Sequence, residues 1–197
     1  MPFSVLCEMT LTAALTVWSP GPNNILLLST ASKYGFKKNM KFMLGIWTGS
    51  LSLMILCGLL GSLLSSIVPE VRPIMTWVGA GYLFYLAWKT YRRLPPGEED
   101  TQKEPSYVMG IFLQLINVKI IIYGLTMFSS FILPYEQRPL FLLFYAFYLM
   151  VMGAIGNLIW AFAGNVLQKF YKERYKLVNV IMALLLVWCA LRVIGVL

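Results

Sequence analysis

The sequence predicts an all-α membrane protein with six transmembrane helices, and three observations carry the prediction: composition, placement of charge, and length of the apolar runs. Hydrophobic residues make up 59% of the 197 residues and charged residues only 12%, against roughly 45 to 50% and 25% in an average soluble domain. A soluble chain of this size could not hide that much apolar surface in one core. Charge is confined to short polar segments, and stretches such as Ile120 to Tyr135 carry none. A lipid bilayer acting as solvent accounts for both features.

A helix rising about 1.5 Å per residue needs about 20 apolar residues to cross a bilayer. Six runs qualify: Phe3 to Ser32, Met40 to Val68, Pro73 to Trp88, Tyr107 to Leu133, Leu140 to Leu167 and Leu177 to Val196. Met1 to Glu8 lacks a basic n-region, and the run that follows has no small-residue cleavage site. It therefore reads as a first span and not as a removable signal peptide. The chain 1–197 reads as one transmembrane domain, with a first half 1–93, a second half 107–197 and a polar linker 94–106 containing Pro95, Pro96, Gly97, Glu98, Glu99 and Asp100.

Orientation follows from the basic residues. Lys33, Lys37, Lys38 and Lys41 follow the first span, Lys89, Arg92, Arg93 and Lys103 surround the linker, and Lys169, Lys172, Arg174 and Lys176 follow the fifth. The opposite connections hold only Arg72 and Arg138. Connections rich in Lys and Arg stay in the cytoplasm, so the linker is cytoplasmic and both termini lie outside. The net charge of +8 is thereby a topology signal, not a nucleic-acid surface. Three spans on each side of the linker give the halves opposite orientations, a 3+3 inverted-topology repeat.

The first and fourth spans are expected to be broken near the midplane. Ser19-Pro20-Gly21-Pro22-Asn23-Asn24 places two prolines around a glycine inside an apolar run. Each proline removes a backbone donor and clashes with the preceding turn, so the helix opens, and Pro22 suits the first turn of a new one. The fourth span carries Ile116-Asn117-Val118-Lys119. Asn23 and Asn117 each lie roughly 15 Å above the cytoplasmic end of their span. Non-helical backbone at that depth must pack against protein or line a cavity, and paired breaks in corresponding helices point to a transporter's substrate site. The candidate substrate-binding residues are Pro20, Gly21, Pro22, Asn23, Asn24, Asn117 and Lys119, with Asn157 as a polar group in the fifth span able to reach them.

Lys119 has two readings. A cation at mid-span costs a few kcal/mol and cannot extend its side chain to the surface. It is either a peg bonded to carbonyls of the broken helices, or a partner for a substrate carboxylate or a proton. Gly45 and Gly49, and Gly153, Gly156 and Gly164, read as surfaces for close helix approach. The chain has no histidine, its three cysteines sit in three separate apolar runs, and no Asp or Glu lies at mid-span. That leaves no set for a metal, no cofactor motif and no nucleophile with its base, so an intramembrane enzyme is not expected.

Pro20-Gly21-Pro22-Asn23, Gly35, Gly45, Gly49, the run Val78 to Trp88, Asn117 to Lys119, and Gly156-Asn157 with Trp160 and Gly164 resemble the LysE/RhtB family of amino-acid exporters over nearly the whole chain. Pro20 to Leu26, Asn117 to Gly124 and Leu184 to Arg192 look most like its cysteine/O-acetylserine branch. The resemblance implies a secondary exporter in the bacterial cytoplasmic (inner) membrane, working by alternating access and driven by protons. This chain departs from the common family pattern at Val118 and Asn39, where proline and glycine are usual, and at Ser50, where an acid is frequent. Without a buried acid, a dibasic substrate has no counter-charge. A small neutral amino acid, cysteine-like or O-acetylserine-like, fits better, its carboxylate toward Lys119 or the half-helix N-terminus after Pro22 and its ammonium toward freed carbonyls and the Asn23, Asn24 and Asn117 side chains. Homoserine, threonine or leucine as the exported amino acid, and a non-transporting membrane scaffold, stay open as alternatives. Glycine-rich faces on a small six-helix unit are compatible with a homodimer.

Overall fold

The computed structural model describes residues 1–93 and 105–195, without the side chains of 62–69, 71, 72 and 75. The expected linker 94–106 lies outside the described residues apart from Pro105 and Ser106. All secondary structure among the described residues is helical. The order is α1 Phe3–Trp18, α2 Pro22–Tyr34, α3 Phe36–Leu59, α4 Gly61–Tyr91, α5 Tyr107–Ile116, α6 Val118–Thr126 continued by a π-helical turn Met127–Ile132, α7 Pro139–Val166 and α8 Gln168–Val193. Among the described residues α3, α7 and α8 are each long and apolar enough to cross a membrane, and α5 with α6, bent by 64°, is long and apolar enough only when the pair is taken as one span.

Both expected breaks are present. Ser19 to Gly21 separate α1 from α2, with Gly21 fully extended before Pro22 at the head of α2. Asn117 alone separates α5 from α6, at φ −83° and ψ 88°. α2 is buried on every side from Pro22 to Ser32, so its hydroxyls must find partners inside the protein. Ser32 Oγ donates to Leu28 O at 2.8 Å, and Thr30 Oγ1 to Leu26 O and to Asn39 Oδ1 at 2.7 Å each.

Close packing holds the helices around α2. α3 lies against α5, α2 against α7, α4 against α8, and α3 against α7. A Cβ on Gly45 would collide with the Tyr107 carbonyl, one on Gly110 with the Phe42 carbonyl, and one on Gly164 with the Leu28 carbonyl. The glycines thus bring backbones together, as expected of small residues at membrane-helix crossings. Gly153 is different, since a Cβ there would meet nothing within 4 Å.

Two boundaries differ from expectation. The second and third spans part at Leu60 (φ −118°, ψ 20°), not around residues 69–72, and α4 runs on through Pro69 and Pro73. Gly58 and Gly61 weaken the helix at Leu60, while α8 supports the remainder of α4. The basic segment before the sixth span is helical too, with its irregularity confined to a kink at Arg174 (φ −129°, ψ 36°).

Asn39, where glycine is usual, also finds its reason. Fully buried, it donates from Nδ2 to Leu27 O at 3.0 Å and accepts from Thr30. It clips α3 to α2 across the Gly35 corner, whose φ of +82° favours glycine.

Candidate functional site

The core consists of two apolar clusters with a polar layer between them. One cluster holds Ile25, Ile46, Leu113 and Ala161, and the other Val17, Met54, Ile120 and Leu149. The two broken helices, α3 and α7 each pass from one cluster to the other. Asn23 and Asn24, Ser50, Gln114 and Asn117, and Asn157 fall at those crossings.

Buried amides need partners, and here they bond to one another, although Gln114 Nε2 is left without one. Asn117 Nδ2 donates to Asn23 Oδ1 at 2.8 Å, joining the two breaks directly. Asn23 Nδ2 donates to Gln114 Oε1 at 3.2 Å, and Ser50 Oγ donates to the same oxygen at 3.2 Å. Asn157 Nδ2 donates to Asn24 Oδ1 at 2.9 Å. A helix end leaves its last carbonyls without partners, and side chains cap those of α1. Ser19 Oγ donates to Thr16 O, Asn24 Nδ2 to Val17 O and Ser19 O, and Trp160 Nε1 to Trp18 O, at 2.8 to 2.9 Å. Trp18 in turn donates to Met152 O at 2.9 Å and packs where Gly156 has no side chain. Thr16 O, Val17 O, Trp18 O and Ser19 O thus each already accept one side-chain donor.

Lys119 is half-buried. Its Nζ donates to Ser19 Oγ at 2.9 Å and reaches Ser19 O at 3.5 Å. That matches the peg reading, yet an ammonium has three donors and this one also faces open space. Gly21 makes room for it, since a Cβ there would lie 2.9 Å from Nζ.

Two cavities meet at this lysine. The smaller, about 30 Å³, is bordered by Gly21, Pro22, Asn23, Asn24, Asn117, Lys119 and Asn157, so seven of the eight expected residues converge on it. It has room for about one water molecule. The larger, about 350 Å³, is bordered by Ser19, Pro20, Gly21, Pro22 and Lys119 on one side and by α8 on the other. Pro20 borders this larger cavity only. Its size suits a small ligand, and among the described residues no acidic one borders either cavity. Among the described residues no cluster of three His, Cys, Asp or Glu could hold a metal.

Sequence reasoning missed Gln114 and Tyr123. Gln114 is fully buried at the centre of the amide network, and its one sequence signal is being the sole amide in the run Val108 to Ile116. Tyr123 borders the small cavity and its buried hydroxyl has no partner. Nothing distinguishes it in sequence from a packing tyrosine. Away from the polar layer, Arg93 Nη1 donates to Ser29 Oγ at 2.7 Å, while Asn179 Nδ2 donates to Arg93 O at 3.1 Å, tying α2, the end of α4 and α8 together.

Two broken helices meet at a polar layer in a helical protein with several apolar spans, an arrangement found in membrane transporters. The chain belongs to the LysE type translocator family, whose model matches residues 14–195. It is 38% identical over 194 residues to the cysteine/O-acetylserine efflux protein of Salmonella typhimurium, covering 98% of this chain and 97% of that one. It is 38% identical over 180 residues to the cysteine/O-acetylserine efflux protein of Escherichia coli K12, covering 91% and 92%. No solved structure matches the chain.

Proposed function

We propose that this protein exports small neutral amino acids of the cysteine and O-acetylserine kind across the bacterial cytoplasmic membrane, by alternating access driven by the proton-motive force. The observation that carries the proposal is the acid-free polar layer where the two breaks meet, with Lys119 as its cation. The near full-length similarity to two efflux proteins of that substrate class supports it.

In this reading the six spans are α1 with α2, α3, α4, α5 with α6, α7, and α8, with both termini outside and residues 94–106 linking two inverted halves in the cytoplasm. The packing favours such a repeat. α3 packs on α5 as α7 packs on α1, and α4 pairs with its counterpart α8. The dipeptides match too: Gly49-Ser50 and Gly156-Asn157 each offer a close approach, then a side chain bonded near the break of the other half.

Substrate would place its carboxylate on Lys119 and its ammonium against the Tyr123 hydroxyl, the amide oxygens of the polar layer and the carbonyls that end α1. Pro20 to Asn24, Asn117, Lys119 and Asn157 would form the site, some by contact and Asn24 by holding the break open. The larger cavity lies on the side of the outer ends of α6 and α8, and Arg93 with Ser29 and Asn179 closes the cytoplasmic side. The conformation then corresponds to the outward-facing state.

Counterflow in proteoliposomes tests the reading. Labelled O-acetylserine and cysteine should exchange while lysine does not, and Lys119→Ala and Asn23→Ala should abolish exchange in protein that still inserts and folds. No exchange of any amino acid by folded wild type would overturn it.

A further inference from the structure

The larger cavity contains a second cation that the midplane site does not use. Arg192, in the last turn of α8, borders it together with Lys119, Thr76, Ile122, Trp188 and Cys189. The Arg192 guanidinium carbon lies 5.3 Å from the centroid of the Trp188 ring, within range of a cation–π contact that fixes its position. The lining of this cavity of about 350 Å³ thus carries an ammonium and a guanidinium, and among the described residues no carboxylate. Arg192 is exposed and Lys119 half-buried, so the two cations give the cavity a positive potential that draws anions into it. A guanidinium also presents the planar fork that matches a carboxylate.

We infer that this cavity is a carboxylate-binding vestibule, in which Arg192 receives the carboxylate of the outgoing amino acid after it leaves Lys119. The inference rests on the export reading for its substrate, but the charge of the cavity stands apart from transport. Arg192 acts here as a specificity-determining residue: it favours amino acids over amines and sets how readily the ligand departs. Lys119 and Arg192 form a two-step path for one negative charge, from the polar layer to the outer end of α8.

The test uses purified full-length protein in detergent, with a single reporter thiol in a Cys7→Ala, Cys57→Ala background. Two reporters are compared: native Cys189, and Ile122→Cys combined with Cys189→Ala. Each is modified by an anionic sulfonatoethyl or a cationic trimethylammonioethyl methanethiosulfonate, and rates are normalised to a free thiol. The anionic reagent should be favoured by about tenfold. Arg192→Gln should remove most of that preference and Arg192→Lys should keep it. O-acetyl-L-serine should slow modification, whereas ethanolamine, which lacks the carboxylate, should not. No charge preference, a preference that survives Arg192→Gln, or no modification of either thiol would overturn the vestibule. Equal protection by chloride alone would overturn the carboxylate assignment in favour of a general anion site. A charge preference in protein that exchanges no amino acid would sink the export reading while leaving the anion site intact. Exchange without the preference would do the reverse.

Discussion

The two helix breaks reach the same end by different means. Between α1 and α2 the chain itself imposes the opening: Pro20, Gly21 and Pro22 cannot continue a helix, and the freed carbonyls are capped by Ser19, Asn24 and Trp160. Between α5 and α6 a single asparagine interrupts two apolar helices, with no proline, and its amide is bonded to Asn23 of the other half. The first break is local, whereas the second depends on its partner. A transporter built this way keeps one fixed opening and one that can respond to whatever occupies the polar layer.

Of the substitutions that follow, Asn117→Ala at the second break should have the largest effect. Asn117→Ala leaves Asn23 Oδ1 buried without its donor, at a cost of about 1–3 kcal/mol. Exchange in proteoliposomes should fall by roughly 5- to 150-fold, with lowered thermal stability, and unaltered exchange would break the comparison. Gly110→Ala should cost about 1–3 kcal/mol through the collision with the Phe42 carbonyl. It should register as a lower melting temperature in detergent. Asn39→Gly removes the clip to Leu27 and Thr30 and should cost about 1 kcal/mol, without changing which amino acids exchange. Val118→Pro sharpens the comparison, since Val118 is the first residue of α6, where proline is tolerated. The second break would then carry its own opening, and Asn117→Ala in that background should lose less exchange than in the wild type.

The smallest effect is expected at Glu136, in the connection before α7. Hydrogen bonds from Arg138 hold its carboxyl down at about 2. A depressed carboxylate stabilises the fold above its unfolded value, and that contribution fades only as pH falls toward about 2. Between about pH 5 and 8 the pair stays ionised, so Glu136→Gln should leave the pH profile of exchange unchanged. A shifted profile would place proton coupling at this loop and not in the polar layer.

What the sequence disclosed follows the same division. The first break was legible because proline and glycine act on their own backbone, and the glycine crossings at Gly45 and Gly164 were legible as small residues in long apolar runs. The second break showed only as an isolated polar pair, and Gln114 and Tyr123 hardly at all. The roles of Asn117 and Gln114 come from partners 64 to 94 residues away in the chain, Ser50 and Asn23. The boundary between α3 and α4 was misplaced because two prolines and a charge near residue 70 outweighed two glycines near Leu60. Packing along α8 decided otherwise. Lys119 stayed open between peg and ligand partner, and the geometry gives it both a bond to Ser19 and a face on each cavity.

The most direct test of the midplane site is equilibrium binding of O-acetyl-L-serine to purified protein by isothermal titration calorimetry, comparing wild type with Lys119→Gln and Asn117→Ala. Binding by the wild type that both folded variants lose is the predicted result. Undiminished binding by both variants would contradict the account and put the substrate elsewhere in the protein.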